Sequence, residues 1–273
     1  MRLFFGILIF LITLTSGFSK TTDNSIAEDS IVYLTKFEAS VFEDLRHGID
    51  DPLNMLLATD GRLGVREMFG YKKSFREHVD AMKTKRDGFQ KEVSYLRFVF
   101  HKTRYKYLKN YQRFVTFAET FRSGTYDCVT GTALYASLLD NLGYEYEIIE
   151  TPRHVFLLIN GEEKKYLVES TLKDGFVTSK WLIKKAMKKY ESQKAGQSVG
   201  EVGDRRHVHG SGTLGTIGLK QLAGLQYYNN ALLSLSASNT EMALNQLRKS
   251  ELLYPSERMA ELRSMIEKLH ISK

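Results

Sequence analysis

The chain has 273 residues, of which 42% are hydrophobic, 26% charged and 12% aromatic, a composition typical of a folded protein with a sizeable core. The single cysteine excludes an internal disulfide, and the three prolines argue against long disordered linkers. The net charge of +7 indicates anionic surroundings and points to no specific ligand.

The N-terminal residues predict an export signal. Met1 and Arg2 form a short positive region, residues 3–14 an apolar core, and residues 15–20 a small or polar exit. The apolar core is short for a membrane span. We therefore expect residues 1–19 to be a signal peptide, cleaved near residues 17–20, and the protein to be periplasmic or secreted. An uncleaved N-terminal anchor is the alternative.

Helices are expected before the cysteine. Residues 31–57 carry apolar side chains at helical spacing, and Pro52 starts a new helix within them. Residues 68–89 are charged and less regular. Residues 93–121 are aromatic and basic, a mixture that can bind nucleic acid. For an exported protein a helix pair with its aromatic stripe on the core is the better interpretation, and we expect no nucleic-acid partner.

The stretch from Ser123 to Thr171 contains the candidate chemistry, beginning with the only cysteine. Asp127 is a good N-cap, and the apolar period predicts a helix over residues 129–142. Cys128 then lies in the first turn, where free N–H groups and the helix dipole favour a thiolate and can hold an oxyanion. A lone cysteine is more often a buried structural residue, so this feature alone does not indicate catalysis.

Strands follow the helix. Residues 144–151 are rich in tyrosine and isoleucine, residues 154–160 are almost entirely apolar, and Asn160-Gly161 is a hairpin signal. Residues 165–170 form the return strand. The pattern therefore predicts a small antiparallel sheet.

In a hairpin closed near Gly161, His154 and Glu169 fall at the same open end. A carboxylate there can fix the tautomer of the imidazole and stabilise its protonated form. Taken singly, His154 could be a core histidine and Glu169 a solvated charge. Because both are expected to lie near Cys128, a catalytic triad is the favoured interpretation.

These residues resemble the transglutaminase-like family, part of the wider papain-like cysteine peptidase group. The family has a Gly-x-x-Cys-type turn that opens a helix, a histidine heading a strand, and an aspartate followed by a small or hydroxyl residue on the next strand. The matching positions are Gly124 with Cys128, His154, and Glu169-Ser170-Thr171. Two departures are the glutamate in place of aspartate and one extra residue between glycine and cysteine. The resemblance covers roughly residues 90–180.

The resemblance implies an α+β fold with a papain/transglutaminase-like core, in which the helix bearing the cysteine packs on a small antiparallel sheet, with extra N-terminal helices. It also implies an exported thiol-dependent amide hydrolase or acyltransferase acting on protein or peptide amides, without a cofactor or metal. Cys128 would be the nucleophile, His154 the general base and then acid, and Glu169 the orienting group. Tyr126 is a candidate for the second oxyanion donor. The alternative is a non-catalytic envelope adaptor, a protein-binding module on the same fold.

Residues 179–193 predict an amphipathic helix that ends the transglutaminase-like region, residues 27–193. Trp181, Leu182, Ala186 and Tyr190 are expected on its apolar side. The lysines on its other side should face solvent and could contact an anionic envelope surface weakly.

A glycine-rich flexible loop is expected over residues 194–218. His207 and His209, with Asp204 nearby, resemble a metal site only weakly, because no further ligands are evident. We therefore predict no metal there. A loop of this kind could also act as a lid.

The tail, residues 219–270, predicts helices, with Asn239 as an N-cap and Pro255 opening the last one. Its small and apolar residues resemble one degenerate tetratricopeptide-type repeat, forming a C-terminal helical hairpin. A single repeat cannot bury its own apolar face. We therefore expect the tail to dock on the catalytic domain or to extend into a groove of a protein partner.

Overall fold

The structure is a computed structural model that describes residues 31–192 and 215–271. The fold is α+β and mainly helical, with a small antiparallel sheet. The predicted signal peptide and the weak metal candidates Asp204, His207 and His209 lie outside the described residues. The helices are α1 (Lys36–Arg46), α2 (Pro52–Ala58), α3 (Val65–Lys85), α4 (Glu92–Tyr107), α5 (Phe117–Arg122), α6 (Cys128–Asn141), α7 (Lys180–Ser192), α8 (Leu219–Ser236), α9 (Thr240–Leu253) and α10 (Glu257–Ile271). The strands are β1 (Asn110–Tyr111), β2 (Thr125–Tyr126), β3 (Tyr146–Glu150), β4 (Val155–Asn160), β5 (Lys165–Val168), β6 (Phe176–Val177) and β7 (Gly215–Ile217).

The first two helices begin at side-chain caps. The side chains of Thr35 and Asp51 accept hydrogen bonds from the backbone N–H groups of Glu38 and Asn54, both at 3.0 Å. Pro52 follows as the first residue of α2, where its missing N–H costs nothing. The helix start predicted at Pro52 is therefore confirmed.

Helix α3 occupies the stretch that the sequence pattern left irregular. It runs for 21 residues, and its core-facing side chains recur at helical spacing. Charged residues fill the remaining positions so densely that the apolar period is hard to see in the sequence. The core-facing apolar side chains are Met68, Phe75, Val79 and Met82.

The five-stranded sheet has the order β6-β5-β4-β3-β7, and every neighbouring pair is antiparallel. Alternate residues of β4 point to opposite faces. Val155 and Leu157 belong to the main core that includes α6, whereas Phe156 and Leu158 form a second cluster under α7. Both faces of β4 are therefore covered, which explains its nearly continuous apolar sequence.

Helix α7 covers the sheet with a different face from the one predicted. Ile183, Met187 and Tyr190 pack on the second cluster, together with Ala186. Trp181 is 66% exposed and lies opposite this face, with the Lys185 ammonium 5.0 Å from its ring. The prediction that placed Trp181 on the core side was wrong. The helix carries two competing apolar stripes, and contact with the sheet decides between them.

The end of the segment predicted as a loop forms an edge strand. Gly215–Ile217 is β7, and it pairs with β3 in the register Ile148 to Ile217. The loop prediction for residues 194–218 was therefore wrong for these residues. A three-residue strand within a glycine-rich stretch leaves no periodic signal.

The helices of the tail pack into the main core. Leu222, Ala223 and Tyr227 of α8 are fully buried, and α8 contacts both α2 and α6. The side-chain oxygen of Gln226 accepts hydrogen bonds from the Thr59 hydroxyl at 2.7 Å and from a backbone N–H of α5 at 2.9 Å. The tail is thus joined to the rest of the chain by polar and apolar contacts. In the described ranges, no helix combines the length and the apolarity needed to cross a membrane.

A buried ion pair also ties the tail to α1. Lys249 and Glu38 are 0% and 1% exposed, and the Lys249 Nζ lies 2.8 Å from Glu38 Oε1. The Tyr227 hydroxyl donates to the same oxygen at 3.0 Å, and the Leu34 N–H donates to Oε2 at 2.6 Å. Burial lowers the pKa of Lys249, although Glu38 opposes this effect.

Candidate active site

The candidate nucleophile stands at the first position of α6. The Asp127 side chain accepts a hydrogen bond from the Thr130 N–H, and the Asp127 N–H donates to the Thr130 hydroxyl, both at 2.9 Å. This reciprocal cap satisfies two donors, and the N–H of Cys128, at the first position of the helix, has no partner within the helix. Cys128 is partly exposed, whereas the rest of the helix is nearly all buried. The predicted N-cap and helix are confirmed.

Two glycines bring the candidate acid close to this helix. A Cβ on Gly131 would lie 2.7 Å from the hydroxyl of Ser170, so α6 approaches the end of β5 more closely than a side chain would allow. A Cβ on Gly175 would lie 1.9 Å from the carbonyl oxygen of Glu169. The Glu169 N–H in turn donates to the Gly175 carbonyl at 2.8 Å. The backbone at Glu169 and Ser170 is therefore fixed by close contacts with Gly175 and with Gly131 of α6.

Hydrogen bonds with Thr151 fix the backbone of His154, which lies immediately before β4. Its N–H donates to the Thr151 hydroxyl at 2.9 Å, and its carbonyl accepts from the Thr151 N–H at 2.8 Å. The ring nitrogen Nε2 lies 2.5 Å from Glu169 Oε2. Cys128 lies on the same cleft wall as His154, and its interaction with the imidazole raises the pKa of His154. Because Nε2 faces the carboxylate, Nδ1 is the nitrogen left for the sulfur.

The carboxylate of Glu169 is buried and fully engaged. Its Oε1 accepts hydrogen bonds from the Thr171 hydroxyl at 2.7 Å and from the Thr171 N–H at 3.1 Å. Its Oε2 accepts from the Tyr190 hydroxyl at 3.1 Å as well as from His154. Burial alone would raise the pKa of Glu169, but the hydrogen bonds from His154 and Thr171 outweigh it and lower the pKa. Glu169 therefore stays ionised near neutral pH.

The protonated form of His154 is strongly favoured. Burial alone would lower its pKa, but hydrogen bonds and charge interactions with Cys128 and Glu169 raise the pKa to about 10. The side chain of His154 is only 19% exposed and that of Glu169 only 4%, so water screens their interaction weakly. An imidazolium between the Cys128 sulfur and the Glu169 carboxylate is the expected resting state.

Cys128 and His154 lie on the wall of a cleft of about 350 Å³. One side of the cleft comes from α8 through Leu225, Tyr228 and Leu232. The tail helices thus form part of the site itself, which the sequence did not suggest. Other side chains that line the cleft include Tyr111, Arg113, Asp127, Arg153 and Arg258.

The predicted oxyanion candidate, Tyr126, does not line this cleft. Its side chain is 2% exposed, and its hydroxyl accepts a hydrogen bond from Arg104 Nη2 at 3.1 Å. Tyr111 lies in the cleft instead, one strand away in the parallel β1–β2 pair. Partial burial and the negative charge at Cys128 and Asp127 raise the pKa of Tyr111 to about 12. Its hydroxyl is therefore protonated at neutral pH and able to donate.

The structure thus brings Cys128, His154 and Glu169 together and leaves Tyr126 apart. Three supporting residues were not identified as such from the sequence, namely Thr151, Tyr190 and Tyr111. The Tyr190 ring stacks on the imidazole with the centroids 5.5 Å apart and the planes 26° apart. Its position on the sheet-facing side of α7 was the available signal, whereas the contact of Tyr111 depends on a long-range pairing that no local pattern predicts.

No group of three or more His, Cys, Asp or Glu side chains within residues 31–192 and 215–271 is arranged to hold a metal ion. Comparisons of the chain with protein-family models, curated proteins and solved structures found no match. The function is therefore inferred from the chemistry of the cleft.

Proposed function

We propose that the protein is an exported, thiol-dependent amide hydrolase or acyltransferase with a papain/transglutaminase-like core. One observation carries the proposal, namely that Nε2 of His154 lies 2.5 Å from Glu169 Oε2 while His154 and Cys128 lie together on the wall of one cleft. A nucleophile, a base and an orienting acid in this sequence are the arrangement of covalent cysteine catalysis. A purely structural cysteine would need neither a neighbouring imidazole nor exposure to a cleft.

In the first step the Cys128 thiolate attacks the carbonyl carbon of an amide. A sulfur–carbon bond forms, and the carbonyl electron pair moves to oxygen as an oxyanion. When the oxyanion collapses, the carbon–nitrogen bond breaks and the His154 imidazolium gives its proton to the departing nitrogen. The products are a free amine and a thioester on Cys128.

In the second step, neutral His154 takes a proton from the attacking water or amine. The new bond to the carbonyl carbon forms, the sulfur–carbon bond breaks, and the thiolate and imidazolium are restored. Water gives a carboxylic acid and an amine gives a new amide. Hydrolysis is the default outcome because water is always present.

The oxyanion is held in this scheme by the Cys128 N–H and by the Tyr111 hydroxyl. The first belongs to the first turn of α6, where N–H groups have no partner within the helix and the helix dipole favours negative charge. The second lines the same cleft as a protonated phenol. Glu169 takes no proton in either step, because its lowered pKa keeps it ionised to stabilise the imidazolium.

The pH dependence of alkylation by iodoacetamide tests the proposal. A thiolate–imidazolium pair reacts well below pH 8.5, about the ordinary pKa of a free thiol. We expect rapid labelling of the parent protein at pH 6, none of Cys128→Ala, and labelling of His154→Ala that rises only with the ordinary thiol titration. If the parent itself follows the ordinary thiol titration, the adaptor alternative is correct and the enzyme proposal fails.

A further inference from the structure

The cleft beside Cys128 is lined by arginines. Arg113, Arg153 and Arg258 all face it, whereas the one carboxylate among its described lining residues, Asp127, is buried in the cap of α6. The guanidinium group keeps its charge at any physiological pH. A cleft with an excess of one charge sign concentrates ligands of the opposite sign.

The three arginines are not equivalent. Arg258 Nη2 lies 3.0 Å from Glu150 Oε1 and donates to the Thr151 carbonyl at 3.3 Å, so its charge is largely neutralised and it holds α10 against the segment that carries His154. Arg113 is exposed, and its guanidinium carbon lies 5.1 Å from the ring of Phe114. Arg113 is therefore the better candidate for a ligand contact.

The backbone next to Arg113 is unusual. Phe114, which also lines the cleft, has a φ of 60°, a left-handed conformation that is rare for a bulky side chain. Such a conformation costs free energy and persists where the surrounding structure determines it. One short segment thus contributes three side chains to the cleft, namely Tyr111, Arg113 and Phe114. Tyr111 and Arg113 are the polar ones.

The residues that α8 contributes to the cleft are mainly apolar. Leu225, Tyr228 and Leu232 occur at positions i, i+3 and i+7 of α8, so they share one face of the helix. A substrate in this cleft would meet both apolar side chains and guanidinium groups.

We infer that the cleft selects acyl substrates that carry a carboxylate beside an apolar group, such as an amide next to an acidic side chain in a peptide. The inference rests on the proposed function, because it assigns a substrate class to the same nucleophile. Arg113 is a specificity-determining residue that contacts the carboxylate, a partner that matches its planar fork of donors. The apolar face of α8 receives the neighbouring group.

Two alkylating reagents that differ in charge test the inference. Iodoacetate and iodoacetamide share the same leaving group and nearly the same size, so the ratio of their rates with Cys128 measures the preference for an anion. We expect Arg113→Gln to lower this ratio about three- to tenfold at low salt, with the iodoacetamide rate of each protein as its internal reference. Added salt should lower the ratio in the parent protein more than in the variant.

A matched control separates the local effect from the loss of one positive charge. Arg76→Gln makes the same charge change on the exposed side of α3, outside the cleft, and should leave the ratio unchanged. The His154 imidazolium also attracts iodoacetate, but it is present in all three proteins. The difference between the two variants therefore isolates the contribution of Arg113.

The outcomes distinguish the substrate inference from the proposed function. Rapid labelling by iodoacetamide at pH 6, with a ratio that Arg113→Gln does not change, would overturn the substrate inference and leave the thiol enzyme intact. Slow labelling by both reagents until the ordinary thiol titration would overturn both. A fall of the ratio in Arg76→Gln equal to that in Arg113→Gln would assign the preference to net charge and contradict a contact at Arg113.

Discussion

The Tyr190 hydroxyl donates a hydrogen bond of 3.1 Å to the Oε2 atom of Glu169, the same oxygen that faces His154. The Tyr190 ring meanwhile stacks on the imidazole. Burial raises the pKa of Tyr190, so its hydroxyl remains a donor across the neutral range. Helix α7 thus restrains both the base and the acid of the proposed triad through one side chain.

Tyr190→Phe keeps the stacked ring and removes the donor. We expect it to lower the second-order rate of Cys128 alkylation at pH 6 about tenfold, since a hydrogen bond to a charged group contributes on this scale. Tyr105→Phe, at a side chain that is 85% exposed, is the matched control. Equal rates for the two variants would show that Tyr190 contributes only packing.

Glu169→Gln removes the negative charge and keeps the size of the side chain. The imidazolium then loses its charged partner, so the pKa of His154 should fall and the tautomer should no longer be fixed. We expect turnover of an activated acyl substrate to fall about 10³- to 10⁴-fold, the scale seen when the acid of a triad is neutralised. Glu169→Asp, with the same charge and a shorter reach, should recover part of the loss. Identical rates in both variants would argue against an electrostatic role.

Tyr111→Phe tests the second oxyanion donor. Loss of one preorganised donor typically lowers kcat about 10²- to 10³-fold, and we expect a change of this size with KM little affected. Tyr126→Phe should leave kcat nearly unchanged, because its hydroxyl is buried against Arg104 and outside the cleft. A larger fall in kcat for Tyr126→Phe than for Tyr111→Phe would reverse this assignment.

The stability of the fold should depend on pH through His154. Its folded-state pKa of about 10 lies above its ordinary value of 6.5, so the folded state binds the proton more tightly than the unfolded chain. The stabilisation is fully present below pH 6.5 and is lost as the pH rises towards 10. The difference in the free energy of unfolding between the parent and His154→Gln, measured in urea, should shrink across this interval. A difference that is constant with pH would contradict the raised pKa.

The buried pair of Lys249 and Glu38 should matter for stability only when it is broken on one side. Lys249→Ala leaves a buried carboxylate without its cation, which typically costs about 3–5 kcal/mol of unfolding free energy. The double variant Glu38→Gln with Lys249→Met removes both charges and should recover most of that loss. Denaturant unfolding of the two variants beside the parent measures the difference. A double variant as unstable as Lys249→Ala would show that the charges themselves stabilise the fold.

The sequence predicted the part of the site that depends on local rules. A capping aspartate fixes where α6 begins, and a hairpin signal fixes a register that leaves His154 and Glu169 at the same open end. Both depend on residues close to one another along the chain. The residues at the open end of the hairpin could therefore be named before the structure.

The rest of the site depends on contacts between distant segments. Tyr111 reaches the cleft through its pairing with Tyr126, and Leu225 reaches it because α8 packs on α6. Neither contact leaves a periodic pattern in the sequence. The face of α7 was misassigned for a related reason, since either of its apolar stripes could have met the sheet.

The position of α8 in the chain separates the apolar part of substrate recognition from the reacting groups. Every protein atom proposed to form or break a bond belongs to a segment that precedes this helix, whereas the apolar wall of the cleft lies on the helix itself. Exchanges at Leu225 or Leu232 could therefore alter which molecules fit while the reacting groups stay in place. New specificities could arise on this scaffold by mutation near its C-terminal end alone.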